Sequence, residues 1–400
     1  MSHPERIQLP INRTKLVWAM GITQILAWGT TYYLPAVLAT PITQETGWTI
    51  TGVVGGLSWG MVVAGFSSPH IGRQIDRHGG RTVLMASSVL LALGMLLMGL
   101  ANNLVMFYVA WTFIGVAMAA GLYDAAFATL GRLFGEGART SITGLTLLGG
   151  FASTVGWPVI AGLESWIGWR QACFVIAAAH LMIGLPIHAL VVPKSAAQPI
   201  QSTLLASGAT EHSLSKTNSS LFLLIAAIFT IQSLVVSSVS VHLLDVLKQL
   251  GVATAVALSI GMVIGPSQVV ARIAEFSLGR NLHPTWSART GVLLCLIGVG
   301  LLLAASPWLS FVAIALYGAG NGILTIARGT LPLALFGSHG YGVRMGLLAR
   351  PALIAQACGP IAAAFAMQRF GALALLYVMC GFLLLCFIAC WRLPVRRSAG

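Results

Sequence analysis

Five ionisable side chains lie inside long apolar runs of this 400-residue chain: Asp124, Arg272, Glu275, Arg328 and Arg350. A charge near the middle of a bilayer costs at least ~2.5 kcal/mol, so such residues persist where they bind, pair or move protons. Three guanidiniums against two carboxylates favour an anionic ligand, because arginine presents a planar fork that matches a carboxylate. Arg272 and Arg350 are the candidate anion ligands, and Pro351 frees a backbone carbonyl beside the second. Asp124 and Glu275 are the candidates for proton coupling. Plainer readings stand beside these. Arg272 and Glu275 are three apart on one helical face, near enough to neutralise each other. Asp124 can be half of an ion pair, and Arg350 can snorkel to a membrane surface.

Polar-tipped aromatic and amide side chains accompany the charges. Gln24, Trp28 and Tyr32 recur at helical spacing, with Tyr33 next in line, and they suit a cavity for a small organic molecule or ordinary helix packing equally. Asn321, between Gly320 and Gly322, is placed to hydrogen-bond a solute near mid-membrane. Gln232 and His242 are weaker candidates of the same kind, and His180 reads as a packed histidine. No phosphate-binding G-x-x-x-x-G-K-S/T loop and no H-E-x-x-H occurs, and the six cysteines show no metal-ligand spacing. The expectation is therefore no cofactor and no metal. A membrane-embedded enzyme is disfavoured because no nucleophile and base fall at matching depth.

The elements that must position these residues are membrane spans. The chain is 57% hydrophobic and only 8% charged, with a mean hydropathy of +0.88, far from a soluble composition. Twelve apolar runs are long enough to cross a ~30 Å hydrocarbon core, at about 15–39, 49–71, 82–101, 104–131, 140–163, 170–192, 220–246, 252–277, 287–306, 308–335, 343–367 and 371–391. An even number puts both termini on one side. Sixteen of the 22 lysines and arginines fall on that side, three opposite and three inside spans, which makes the termini cytoplasmic. The net charge of +13 thus orients the protein in the lipid bilayer and implies no nucleic-acid partner. The polar start, Met1 to Lys15, is expected to stay attached as a cytoplasmic tail. The Ser- and Thr-rich stretch 193–219 reads as a cytoplasmic linker between a first bundle, 1–192, and a second, 220–400.

Between the second and third runs lies Gly72-Arg73-Gln74-Ile75-Asp76-Arg77-His78-Gly79-Gly80-Arg81, read as a short charged loop. Gly72 and Gly79 allow close approach and a sharp reversal, Asp76 can accept from a neighbouring helix N-terminus, and Arg77 and Arg81 hold the turn on the positive side. The two halves look like repeats. Tyr108-Val109-Ala110 with Gly115 in the fourth run matches Phe311-Val312-Ala313 with Gly318 in the tenth. Both runs close on Phe-Gly, at 134–135 and 336–337, and Gly79-Gly80-Arg81 has a worn counterpart in Gly279-Arg280. Asp124 and Arg328 then occupy near-equivalent places with opposite charge.

The spacing G-x-x-x-D-R-x-G-x-R resembles the loop signature of the major facilitator superfamily. Gly156, Pro158 and Gly162, followed by Gly168-Trp169-Arg170 and Phe174, extend the resemblance across essentially the whole chain. Tyr32-Tyr33-Leu34-Pro35 ahead of Pro41-Ile42 and Glu45-Thr46-Gly47-Trp48 is similar to the monocarboxylate and oxalate/formate branch. The resemblance implies an all-α integral membrane protein of twelve helices in two pseudo-symmetric six-helix bundles, with spans four and five meeting ten and eleven at the cytoplasmic side. There Asp124 and Arg328 are expected to close an inner gate together with Gly72, Asp76, Arg77 and Arg81. In the carboxylate branch an arginine of span eight binds substrate. Ala271-Arg272 resembles that site, although the proline that usually follows is Ile273 here. The arginine that many proton-driven drug exporters carry early in span four is missing from Tyr108-Val109-Ala110-Trp111. The expectation is a monomeric secondary transporter in a bacterial inner membrane, moving a small organic anion such as a carboxylate by alternating access, with protons or another ion as coupling partner. Export of drug-like compounds is the alternative, and a channel suits two pseudo-symmetric halves less well.

Overall fold

A computed structural model describes residues 12–194, 216–279 and 282–395. It is all-helical over those residues. The helices are α1 Arg13–Gly29, α2 Pro35–Thr46, α3 Ile50–His78, α4 Gly80–Gly99, α5 Leu104–Gly121, α6 Tyr123–Phe134, α7 Ala138–Gly149, α8 Ala152–Ala179, α9 Leu185–Val191, α10 Lys216–Gln249, α11 Thr254–Met262, α12 Ile264–Leu278, α13 Pro284–Leu302, α14 Pro307–Phe336 and α15 Tyr341–Trp391. By length and hydropathy, eight helical runs among the described residues can cross a membrane. Two of these runs are compound. Leu104–Val191 takes in three of the expected spans and Tyr341–Trp391 two, the chain reversing at Gly135 (φ 56°) and Gly168 (φ 79°) in the first and at Gly371 (φ 83°) in the second. Span one is the pair α1 and α2, neither long enough alone, so the count returns to twelve.

Starts and stops follow local chemistry. Asn12, Thr49 and Asn103 each accept a hydrogen bond from a first-turn backbone N–H, filling donors that a helix end leaves open. Arg344 donates to the Phe336 and His339 carbonyls, at 2.7 and 2.8 Å, and Arg289 to those of Cys390 and Leu393, at 3.1 Å each. Cations at helix C-termini are favoured by the helix dipole. This explains why much of the positive charge collects at one end of the molecule, called the basic end below.

Four spans are interrupted near mid-length: span one at 30–34, span four at Leu122 (φ −82°, ψ −171°), span five at 150–151 and span eight at Val263. Irregular backbone at membrane depth is tolerated only where it is buried in protein or lines a cavity. The breaks therefore mark the interior seam between the bundles. Two expectations shift. The charged stretch 72–81 is mostly helix, because α3 continues to His78, and its last turn carries Arg77 and His78, where positive charge is favourable; only Gly79 (φ 86°) makes the reversal. Most of the expected linker 193–219 lies outside the described residues, and α10 begins within it at Lys216.

Candidate solute site

At the basic end the two bundles meet without a gap. Gly72 lies against the Gly342 carbonyl and Gly346 against the Ser68 carbonyl, so closely that a Cβ at either glycine would strike backbone. This brings the Asp76 carboxylate to the N-terminus of α15, where it accepts from Gly342 N at 2.9 Å and Val343 N at 2.8 Å. Arg132 of α6 donates to the Asp76 carbonyl. Arg77 is exposed and Arg81 half-buried at the same turn. Arg139, at the start of α7, bridges to Glu275 of α12 at 3.5 Å and to the Gly279 carbonyl at 2.9 Å. Glu275 also accepts from Ser287 Oγ.

One layer deeper, Arg328 of α14 donates to Asp124 of α6 through both arms of its fork, Nε to Oδ1 at 2.9 Å and Nη2 to Oδ2 at 2.8 Å. The side chains are 22% and 19% exposed, so the pair is only partly screened. Asp124 sits in the first turn of α6, just past the break at Leu122, and the helix N-terminus there favours its negative charge.

Arg272 is placed differently. It is 4% exposed and its hydrogen bonds run to neutral groups: Nη1 to the Thr146 carbonyl at 3.0 Å across the seam, Nε to Gly322 O, and Nη2 to Gln268 and Thr325, at 3.4 Å each. Glu275 does not neutralise it, because that carboxylate is turned to Arg139 and Ser287. Among the described residues no acid lies within ion-pair distance of Arg272. The Thr146 carbonyl belongs to the last turn of α7, whose C-terminal dipole supports a cation. A Cβ at Gly150 would strike Arg272 Nη1, and one at Gly149 would strike the Tyr123 hydroxyl. The glycine pair at the break in span five thus opens the room that both side chains occupy.

Above this floor stands a group of rings. Trp28 lies 5.7 Å from Tyr32 and 5.0 Å from Tyr123; Tyr33 lies 5.1 Å from Tyr32 and 5.9 Å from Trp157. Gln24 holds Trp28 through its carbonyl oxygen at 3.2 Å while donating to Gly121 O at the span-four break. The Tyr32 hydroxyl reaches Ser240 and Gln356 of the second bundle. A cleft of about 500 Å³ runs along Ala36, Val37, Ser153, Thr154, Trp157 and Pro158, between α2 and α8. Asn321 is half-buried one turn before Thr325 on α14.

The candidates therefore separate. Gln24, Trp28, Tyr32, Arg272, Asp124 and Arg328 gather along the seam, and Asn321 is on the same helix as Arg328. Arg350 lies apart, on an exposed stripe of α15 with Leu347, Ile361 and Phe365, its guanidinium 4.8 Å over the Phe66 ring. His180 is buried against Thr30, 2.8 Å away. Tyr123, Trp157 and the Gly149-Gly150 pair were not singled out from the sequence. The adjacency of Tyr123 to Asp124 was the available signal.

Two helical bundles closed at one end around a polar, aromatic interior define a membrane transporter rather than an enzyme. A family model described as Major Facilitator Superfamily matches residues 20–282, and the chain belongs to that superfamily. Among curated protein sequences none matches significantly. Two solved structures are similar in fold. One is the human organic anion transporter MFSD10 (TETRAN), at 14% identity and a TM-score of 0.75, over 95% of this chain and 100% of that one. The other is the proton:xylose symporter XylE bound to 6-bromo-6-deoxy-D-glucose, at 14% identity and a TM-score of 0.67, over 96% of each chain. At such identities the likeness concerns the fold alone.

Proposed function

We propose that the protein is a secondary active transporter of a small organic anion, embedded in a bacterial inner membrane with both termini cytoplasmic and working as a monomer. The observation that carries this reading is Arg272: a guanidinium buried at the bundle seam, beside aromatic rings, with only neutral partners. An uncompensated buried charge is costly, and a carboxylate arriving from the cavity supplies the missing counter-charge. MFSD10, described as an organic anion transporter, is compatible with this reading.

In this proposal the basic end is the cytoplasmic mouth, drawn shut by Asp124 with Arg328, by Arg139 with Glu275, and by Asp76 on the N-terminus of α15. Rocking of the bundles 1–192 and 220–400 about the linker 193–219 breaks these ties and delivers the solute. Protons remain the coupling candidate, through Asp124 or Glu275. The ring cluster is the feature that favours the second reading, export of drug-like compounds.

Counterflow in proteoliposomes tests the proposal. Vesicles preloaded with an organic acid should accelerate uptake of the same labelled acid, which a channel does not do. Arg272→Lys, which keeps the charge and loses the fork, should weaken that acid by more than about tenfold, or about 1.4 kcal/mol. Full affinity in Arg272→Lys and Arg272→Ala together would refute the anion reading.

A further inference from the structure

Charge compensation at the seam, taken residue by residue, specifies the solute more narrowly. Arg328 is neutralised by Asp124 and Arg139 by Glu275. Arg350 is on the exposed stripe over Phe66. Arg289 is spent on the carbonyls at the end of α15, between the Trp286 and Trp391 rings. Arg272 is left as one positive charge buried at the seam with only neutral partners. One negative charge satisfies it, and a second would stand unpaired in a low-dielectric setting.

The surroundings of that charge are aromatic. Trp28, Tyr32, Tyr33 and Tyr123 are each partly exposed, unlike the fully buried Phe107 and Trp111. Tyr123 and Arg272 stand over adjacent glycines, whose Cα atoms are about 3.8 Å apart. A carboxylate on Arg272 therefore has Tyr123 beside it, and through Trp28 the rest of the ring group. The pairs Trp28–Tyr32, Tyr32–Tyr33 and Tyr33–Trp157 meet edge to face, at 72°, 86° and 89°. A flat π-system continues that pattern, which a puckered ring cannot. Aromatic faces by themselves also attract cations, but the Arg272 charge opposes an ammonium here.

We infer that the solute is a singly charged aromatic carboxylate, its carboxylate on Arg272 and its ring among Trp28, Tyr33 and Tyr123. This rests on the anion reading above. The test uses the full chain in proteoliposomes, with counterflow of labelled benzoate and four unlabelled competitors: benzoate, phthalate, cyclohexanecarboxylate and benzamide. Benzoate should compete at least about tenfold better than phthalate, which carries a second charge, and than cyclohexanecarboxylate, which lacks the π-system. Tyr123→Leu should bring benzoate down to the cyclohexanecarboxylate level while leaving acids preferred over benzamide. Tyr33→Leu serves the same purpose if the first variant does not fold. Phthalate or cyclohexanecarboxylate competing as well as benzoate overturns this inference and leaves the anion reading standing. No labelled benzoate uptake at all also overturns this inference alone, whereas benzamide competing equally overturns the anion reading and this inference with it.

Discussion

Spans four and ten are repeat partners built in opposite ways. Span ten is one unbroken helix, α14, from Pro307 to Phe336, whereas span four is cut at Leu122 into α5 and α6. The cut gives Asp124 a helix N-terminus to sit on; Arg328 lies within the last turns of an intact helix, nearer a C-terminus. Only Asp124 thus gains from a helix end, since α14 carries no basic residue in its last turn. Elsewhere the repeats agree. Phe134-Gly135 and Phe336-Gly337 both end their helices on a left-handed glycine, at φ 56° and 72°. Architecture is shared between the halves, and chemistry enters where one copy departs from the other. The first half supplies rings and a carboxylate on broken helices, and the second supplies guanidiniums, Arg328 on a continuous helix and Arg272 on a broken one.

The largest expected effect comes from unpairing the two copies. Asp124→Asn or Arg328→Gln leaves a partly buried charge alone and should cost the closed mouth about 2–3 kcal/mol, read as faster labelling of a cysteine placed on the basic half of the cavity. The swap Asp124→Arg with Arg328→Asp should recover only part of this, because a positive charge at 124 then sits at the N-terminus of α6, a penalty of about 0.3–1 kcal/mol. A swap as labile as the single variants would refute the pairing as a gate, and full recovery would refute the role of the break.

Where the copies agree, equal effects are expected. Gly135→Ala and Gly337→Ala force an L side chain into glycine-only backbone and should each lower stability by about 1–2 kcal/mol, measured by thermal unfolding in detergent. A large inequality between them would show that the two Phe-Gly ends are not equivalent.

Asp76→Asn keeps one acceptor for the start of α15 but removes the charge, a loss of about 1 kcal/mol. Transport should slow more than solute affinity falls, and equal losses in both would count against a purely conformational role.

The smallest effect lies at His283, which caps α13 through Nδ1 at 3.3 Å from Thr285 N. Burial, then Arg139 and Arg289, hold it below the ordinary imidazole value of 6.5. The folded state therefore binds the proton less readily than the unfolded one. The cap contributes fully above 6.5 and weakens as pH falls below it. Melting temperature should drop slightly below that pH in the wild type and stay flatter in His283→Asn.

Much of the site was legible as a set of charges, because an ionisable residue in an apolar run stands out whatever its neighbours are. Asp124 and Arg328 could be matched as well, since the repeat supplied their relative depth. What Arg272 and Glu275 do was not legible. Helical spacing made them partners, but Glu275 turns to Arg139 and Arg272 to the Thr146 carbonyl across the seam. Neither contact has a sequence signature. Tyr123 and the glycines at 149–150 were invisible for the same reason: their meaning depends on which helices are interrupted, and apolar periodicity runs unbroken through every interruption.

By itself, the sequence determined that this protein lives in a membrane, that it has twelve spans in two related halves, and that a few charges must be compensated inside it. Those properties come from hydrophobic length and from the cost of bare charge in hydrocarbon, and both are local to a segment. Only the tertiary structure decided which charge is compensated by which group. Compensation is a matter of a few ångströms between residues more than a hundred positions apart, set by where glycines let helices touch and where helices break. That is how one arginine came to lie buried at the seam with no acid beside it while another rests over Phe66.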